Sequence, residues 1–237
     1  MSLFADHVVV ITGTSKGLGR FLAEQYLREG ARVFGCARSA GEPLRHDRYA
    51  FTDLDVTDEK AVAAWVKRIA KEAGGIDILI NNAGVASMNH SLLMPGETAK
   101  HLLLVNTLGT FLVSRECAKV MQRKRYGRIV NFSSVAVPLR LEGEALYAAS
   151  KAAVEAFTRV FAREVAAFGI TCNAIGPAPI LTDLIRNVPA DRLAALTERL
   201  PLKREGTKAD LWPTVSFLTS RSADAVTGQI IYFGGAG

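Results

Sequence analysis

Cysteine is scarce in this chain, and its three copies, Cys36, Cys117 and Cys172, lie far apart with no CxxC pair among them. Histidine is equally thin, with His7, His46, His90 and His101 scattered along the sequence. Both absences argue against a disulfide framework and against a metal site, whose ligands come at short fixed intervals, and they fit a reducing compartment. No apolar run approaches the roughly 20 residues a membrane helix needs. The opening MSLFADHVVVITG lacks the basic flank of a signal peptide and leads straight into a glycine turn. A cytoplasmic location with no membrane partner is therefore expected. No linker, repeat or low-complexity stretch breaks the 237 residues, so a single domain over 1–237 is expected.

Acidic residues are outnumbered, which leaves a formal charge of +6. The densest basic cluster is Arg123, Lys124, Arg125 and Arg128. It reads as the solvated C-terminal end of a helix, where cations favour the dipole, or as a docking patch for an acidic carrier. No basic stripe is interleaved with aromatics, so nucleic acid is not expected as a partner.

What is present is a sizeable core: hydrophobic residues make up 49% of the chain and charged ones 22%. Periodicity predicts strands at 7–12, 32–37, 49–53, 76–80, 128–132, 170–175 and 229–232. It predicts helices at 18–29, 58–73, 98–123, 147–168 and 208–220. The link from Arg38 to Tyr49 is too short for a full crossover helix, and the proline-bearing stretch after 175 reads as irregular. Alternating strands and helices, with strands apolar on both faces, predict an α/β fold: a doubly wound parallel sheet of about seven strands with helices on both faces. The helices at 98–123 and 147–168 carry more apolar surface than one sheet layer buries. Val154, Phe157, Phe161 and Val165 on the second lie at helical spacing.

Between the first strand and the first helix lies Thr12-Gly13-Thr14-Ser15-Lys16-Gly17-Leu18-Gly19. A glycine turn opening a helix lets backbone N–H groups and the helix dipole meet a pyrophosphate. The second strand ends Cys36-Ala37-Arg38 with no acid to take a ribose 2′-hydroxyl. Arg38, helped by Lys16, can instead pair with a 2′-phosphate, which points to NADP(H); the alternative for each is a plain surface cation. Tyr147 and Lys151 form YxxxK and share one helix face. An ammonium there favours a phenolate and brings a tyrosine toward neutral proton exchange. Ser133 and Ser134 end one strand, and Asn81-Asn82-Ala83-Gly84 ends another. These groups either converge on a ligand crevice or serve as caps and turns.

TGTSKGLG, Asp55, NNAG, Asn106, Ser134, YAASK and the Asn173/Pro177 segment occur in an order that resembles the short-chain dehydrogenase/reductase family over nearly the whole chain. The resemblance is greatest to 3-oxoacyl-acyl carrier protein reductases. It implies a single-domain Rossmann fold, a nicotinamide cofactor, pairing through the two long helices into a homo-oligomer (a tetramer or else a dimer), and a tetrad of Asn106, Ser134, Tyr147 and Lys151. In it Tyr147 is the general acid, Ser134 holds the carbonyl oxygen, Lys151 holds the nicotinamide ribose, and Asn106 supports a water leading to solvent. It further implies that Asp55 and Val56 lie near the adenine, Asn82 near a ribose, and Pro177, Ile180 and Thr182 near the nicotinamide. Two features depart from the family: Pro177-Ala178 stands where Pro-Gly is usual, and the crossover helix after Arg38 is reduced. The implied substrate is a ketone or secondary alcohol: a 3-oxoacyl thioester on acyl carrier protein or coenzyme A, or else a free small ketone, sugar or polycyclic alcohol. A nucleotide-binding partner protein without turnover is the alternative from another class.

Overall fold

Strands apolar at both parities need cover on both faces, and the computed structural model, which describes residues 2–180 and 190–236, supplies it. β1 (Val8–Thr12), β2 (Arg32–Ala37), β3 (Tyr49–Asp53), β4 (Ile78–Asn81), β5 (Gly127–Phe132), β6 (Ile170–Gly176) and β7 (Ile230–Tyr232) form a seven-stranded parallel sheet. Its order is β3-β2-β1-β4-β5-β6-β7. Alternation along β1 divides the core. Val9 and Ile11 pack with Leu22 and Tyr26 of α1 (Gly17–Arg28) and with Leu211 and Val215 of α8 (Lys208–Thr219). Val8 and Val10 join the opposite core, with Val62 and Trp65 of α2 (Glu59–Ala73), Leu112 of α4 (Thr110–Lys124) and Phe161 of α6 (Ala145–Ala166). The chain runs outward in opposite directions from β1 and β4, so a crevice opens at their carboxyl ends. Cys36, Cys117 and Cys172 are free and buried in the second core. Among the described residues no helix is long and apolar enough to cross a membrane.

Three local features differ from the sequence reading. The helix expected over 98–123 is two helices, α3 (Gly96–Leu103) and α4, joined by a widened π turn at Leu104–Gly109. A four-residue helix, α5 (Ala136–Leu139), follows β5, and α7 (Ala190–Glu198) lies in the stretch read as irregular. The β2–β3 link carries no helix, as its length requires. It instead packs Leu44 against the α1-side core and borders an open cleft of about 200 Å³ beside Thr14, Arg20 and Tyr49.

The basic cluster is in part the solvated helix end expected, since Arg123, Lys124 and Arg125 are exposed at the carboxyl end of α4, but Arg128 is not. Arg128 is only 2% exposed. Its guanidinium lies 4.3 Å from the centre of the Tyr126 ring, pairs with Asp224, and donates to the Gly127 carbonyl at 2.8 Å. Lys124 pairs with Asp77, and Arg125 donates to the Ala167 carbonyl at 2.8 Å. Lys124, Arg125 and Arg128 thus tie the amino-terminal edge of the sheet together, opposite the crevice. Losing the ring contact and hydrogen bonds of Arg128 and leaving a void, Arg128→Ala should lower unfolding free energy by about 2–3 kcal/mol. Urea unfolding measures this, and a change within about 0.5 kcal/mol is what a surface arginine would give.

The apolar face of α6 also needs correction. Val154, Phe161 and Val165 are buried within the chain and are not left over for pairing, while Phe157 packs against the same core and is half-buried. The exposed apolar side chains of this region are Leu108, Phe111, Val160 and Phe168.

Candidate active site

The glycine turn sits at the carboxyl end of β1 and runs into α1, with Lys16 at the N-cap. Gly13 N–H donates to the Cys36 carbonyl at 2.7 Å, which pulls the turn against β2. A Cβ at Gly19 would collide with the Gly13 carbonyl oxygen, so the helix approaches the turn only because that residue is glycine. No side chain at the N-cap accepts from the first N–H groups of α1, and the first turn has no acid. The N–H groups there, beside Ser15, Gly17 and Leu18, therefore face a place suited to an anion. Asn82 points its amide into the turn and donates to the Thr12 carbonyl at 2.9 Å and the Gly13 carbonyl at 3.1 Å. Ala83 N–H donates to Thr12 Oγ1 at 2.9 Å. The end of β4 is thus a brace for the glycine turn, and the Asn82 side chain is spent on that task.

Arg38 is exposed immediately after β2. Asp55 follows β3, with Oδ1 accepting from Thr57 N–H at 2.9 Å and Thr57 Oγ1 at 2.8 Å. Burial pushes its carboxyl up, but the Thr57 hydrogen bonds and the charges of Arg38 and His101 outweigh that and lower it below the ordinary value. Asp55 therefore stays ionised next to the field of Arg38. Val56 is buried against Gly109 of the π turn.

The catalytic candidates meet where β5 ends and α6 begins. Tyr147 lies in the first turn of α6 and is 9% exposed. Burial pushes its hydroxyl up to about 12, opposed by a hydrogen bond with Ser134 and reinforced by Glu144. Lys151 sits one turn on, with Nζ 6.0 Å from the centre of the Tyr147 ring, and donates to the Phe132 carbonyl at 2.9 Å. Burial lowers its ammonium to about 8. The sequence reading had Lys151 bringing the phenol down; in this chain desolvation dominates both groups, and Tyr147 is held as a neutral phenol. Ser134 Oγ also accepts from Ala136 N–H at 3.1 Å, at the start of α5.

Asn106 belongs to the π turn, and such widened turns often mark functional sites. Its amide exchanges hydrogen bonds with the Val85 main chain, at 2.8 and 2.9 Å, and donates to Ser150 Oγ at 2.9 Å. A Cβ built at Gly84 would lie 3.2 Å from Asn106 Oδ1 and 3.3 Å from Lys151 Nζ, so both groups border the same point.

Pro177 leads into Ala178, whose backbone is not in the left-handed region, so this turn needs no glycine. The Ala178 methyl packs with Val135, Leu139 and Leu200. Ile180 is buried and bridges to Gly206; Thr182 lies outside the described residues. Sequence reasoning missed Thr12, Ser150 and Glu155. Thr12 and Ser150 stand inside motifs already singled out, where a side-chain oxygen beside a glycine turn or a lysine was the available signal. Ser133, weighed against Ser134, is buried and hydrogen-bonded to Glu155, which leaves Ser134 facing Tyr147.

The family model described as enoyl-(acyl carrier protein) reductase matches residues 13–235. Among curated proteins, the 3-oxoacyl-[acyl-carrier-protein] reductase FabG of Vibrio harveyi is 35% identical over 233 residues, covering 96% of each chain. FabG of Escherichia coli K12 is 33% identical over 237 residues, covering 98% of this chain and 97% of its own. Among solved structures, the aldohexose dehydrogenase of Thermoplasma acidophilum superposes with a TM-score of 0.90 at 32% identity, covering 99% of this chain and 95% of that one. Levodione reductase gives a TM-score of 0.90 at 29% identity, covering 98% and 97%. A shared fold alone leaves chemistry open, but identity at this level over nearly full length does not. The chain belongs to the short-chain dehydrogenase/reductase family and is an oxidoreductase acting between CH–OH and C=O groups.

Proposed function

We propose that this chain is an NADPH-dependent reductase that converts the ketone of a 3-oxoacyl thioester, carried on acyl carrier protein or coenzyme A, to a secondary alcohol. One observation carries the chemistry: the Ser134 and Tyr147 hydroxyls share a hydrogen bond at the crevice, and the Lys151 ammonium stands beside the phenol ring. Substrate identity rests on the 3-oxoacyl reductases similar over almost the whole chain.

The glycine turn, with its uncapped helix end and close helix approach, fits a dinucleotide pyrophosphate. Gly13, Ser15, Lys16, Gly17, Leu18 and Gly19 would hold it there. Arg38, Asp55 and Val56 would flank the adenosine, and Asn82, Ala83, Gly84, Pro177, Ile180, Tyr147 and Lys151 the remainder. When bound, the dinucleotide supplies the hydride. The chain's own residues do the rest. Ser134 Oγ–H donates to the carbonyl oxygen as negative charge develops on it, a contact of the kind worth roughly 10²–10³ in rate. Tyr147, protonated at neutral pH, transfers its proton to that oxygen. Lys151, its ammonium anchored on the Phe132 carbonyl, steadies the phenolate left behind. Asn106 and Gly84 frame the route by which a proton returns from solvent.

The second reading is a free hydroxylated ketone or sugar. Glu144 favours it: the side chain is half-buried one turn before Tyr147, burial raises its carboxyl, and its oxygens can accept from substrate hydroxyls. NADPH consumption with acetoacetyl-CoA, a 2-enoyl thioester and a panel of sugars and cyclic ketones separates the readings. Turnover of sugars alone selects the second, and no turnover at all leaves a nucleotide-binding protein. We also read the chain as one domain that assembles with copies of itself through the exposed apolar side chains of α4 and α6.

Cofactor choice has its own test. Arg38→Ala should weaken NADPH binding by about tenfold or more, the value of a charge-assisted contact, and leave NADH binding unchanged. Fluorescence titration of both dinucleotides reads it, and equal loss for the two would assign Arg38 to the adenosine rather than to a 2′-phosphate.

A further inference from the structure

Glu155 is a buried carboxylate that the chemistry above does not use. It is 4% exposed, on α6 two turns after Tyr147 and one after Lys151. Its Oε1 accepts from two hydroxyls, Ser133 Oγ–H and Tyr232 O–H, the latter at 2.6 Å. Its Oε2 lies 3.9 Å from Arg159. A carboxylate in such a place costs stability unless its oxygens are satisfied, and a well-packed apolar residue is often the more stable choice. Its hydroxyl partners come from the residue just past β5 and from the end of β7.

The geometry is ordered. Residues 147, 151 and 155 stand on one face of α6, and each engages one of three consecutive residues at the end of β5. Tyr147 bonds with Ser134, Lys151 Nζ donates to the Phe132 carbonyl, and Glu155 takes the Ser133 hydroxyl. The first two contacts involve groups that the reaction itself perturbs. The third does not, and it touches the residue immediately before Ser134. β7 closes the arrangement from the other side. Gly176 at the end of β6 has no Cβ, and one placed there would collide with the Tyr232 ring, which passes over that glycine to reach Glu155. Ser133 N–H is also fixed to the Ile175 carbonyl at 2.7 Å.

We infer that Glu155 is a positioning residue: together with Ser133 and Tyr232 it locks the end of β5 to α6, so that Ser134 and Tyr147 hold one carbonyl oxygen between them. The inference rests on the proposed roles of Ser134 and Tyr147. It acts through hydrogen-bond geometry rather than charge, since burial is what lowers Lys151. Misplacing a reacting group by an ångström can slow an enzyme by about 10²-fold without weakening ground-state binding.

The test uses the full chain with NADPH and acetoacetyl-CoA. Glu155→Val should lower kcat by about tenfold or more at 20 °C, well below unfolding, with the NADPH dissociation constant held within about twofold. Glu155→Gln keeps an oxygen that accepts both hydroxyls and should retain kcat within about threefold. Wild-type kcat in Glu155→Val, with only a lower melting temperature, would reduce Glu155 to a structural residue. A Gln variant as slow as the Val variant would make the charge the effective property and overturn positioning by hydrogen bonds. Should Glu155→Val not fold, Ser133→Ala decides: a several-fold fall in kcat at unchanged NADPH affinity supports the inference, and an unchanged kcat overturns it. Tyr147→Phe, measured alongside, separates this from failure of the underlying chemistry, because an active Tyr147→Phe would remove the hydroxyl pair that Glu155 is said to align.

Discussion

Tyr147→Phe is expected to bind NADPH as the wild type does and to lose turnover by about 10³-fold or more, the upper range for a positioned general acid. The ring stays, so its packing with Leu102 and Ala136 stays. Only the hydroxyl goes, and with it the proton and the bond to Ser134. Because burial holds that hydroxyl at about 12, the acid is fully loaded across the neutral range, and reduction should fade first as pH rises through about 8, where the Lys151 ammonium is lost. Stopped-flow turnover beside fluorescence titration checks both halves. A Phe variant that keeps even a tenth of wild-type kcat would mean that water or Ser134 delivers the proton.

Lys151→Met should make the protein inactive and more stable at once. In the unfolded chain this lysine carries its ordinary value of 10.5, and in the folded chain burial lowers it to about 8. That difference corresponds to about 3 kcal/mol of unfavourable burial of the charged form, less about 1 for the lost hydrogen bond to the Phe132 carbonyl. The penalty is fully present below pH 8, where both states hold the proton. It fades between about 8 and 10.5, where the folded state has released the proton and the unfolded state still holds it. The gain from Met should therefore be largest at pH 7, about 4–8 °C in Tm, and small at pH 10.5. Thermal unfolding at those two values is the measurement. A variant less stable than wild type at pH 7 would show that the ammonium is well solvated in its place. Stability set against function in one residue is what a working active site is expected to display.

The sheet and the catalytic groups were legible in the sequence because their signals are local. β2 and β3 have the bounds that periodicity assigned, and the glycine turn and YAASK declare themselves within eight and five residues. What stayed hidden depends on partners far along the chain. Arg128 reads as a surface cation until Asp224 and Tyr126 surround it. Glu155 draws no reading from the sequence, because its partners Ser133, just past β5, and Tyr232 on β7 are brought to it only by the fold. The π turn at Leu104–Gly109 is invisible for another reason: apolar spacing reports which face is buried, and one widened turn shifts that face too little to register. The phenol of Tyr147 was expected to fall and instead rises, because spacing reveals a neighbouring ammonium but not the depth of burial that both groups share.

The strand order also has a consequence for how the chain comes off the ribosome. β1 is the first strand made and lies inside the sheet, between β2 and β4. The glycine turn and Arg38 are complete early, and Tyr147 emerges more than a hundred residues later. At roughly 5–20 residues per second that is an interval on the order of ten seconds. Through it β1 and then β4, both runs of Val, Ile and Leu, each wait with an edge unpaired, since parallel neighbours arrive only after a crossover. The nascent amino-terminal half is thus a dinucleotide turn mounted on an open-edged apolar sheet, and it is the part of this molecule most in need of a chaperone.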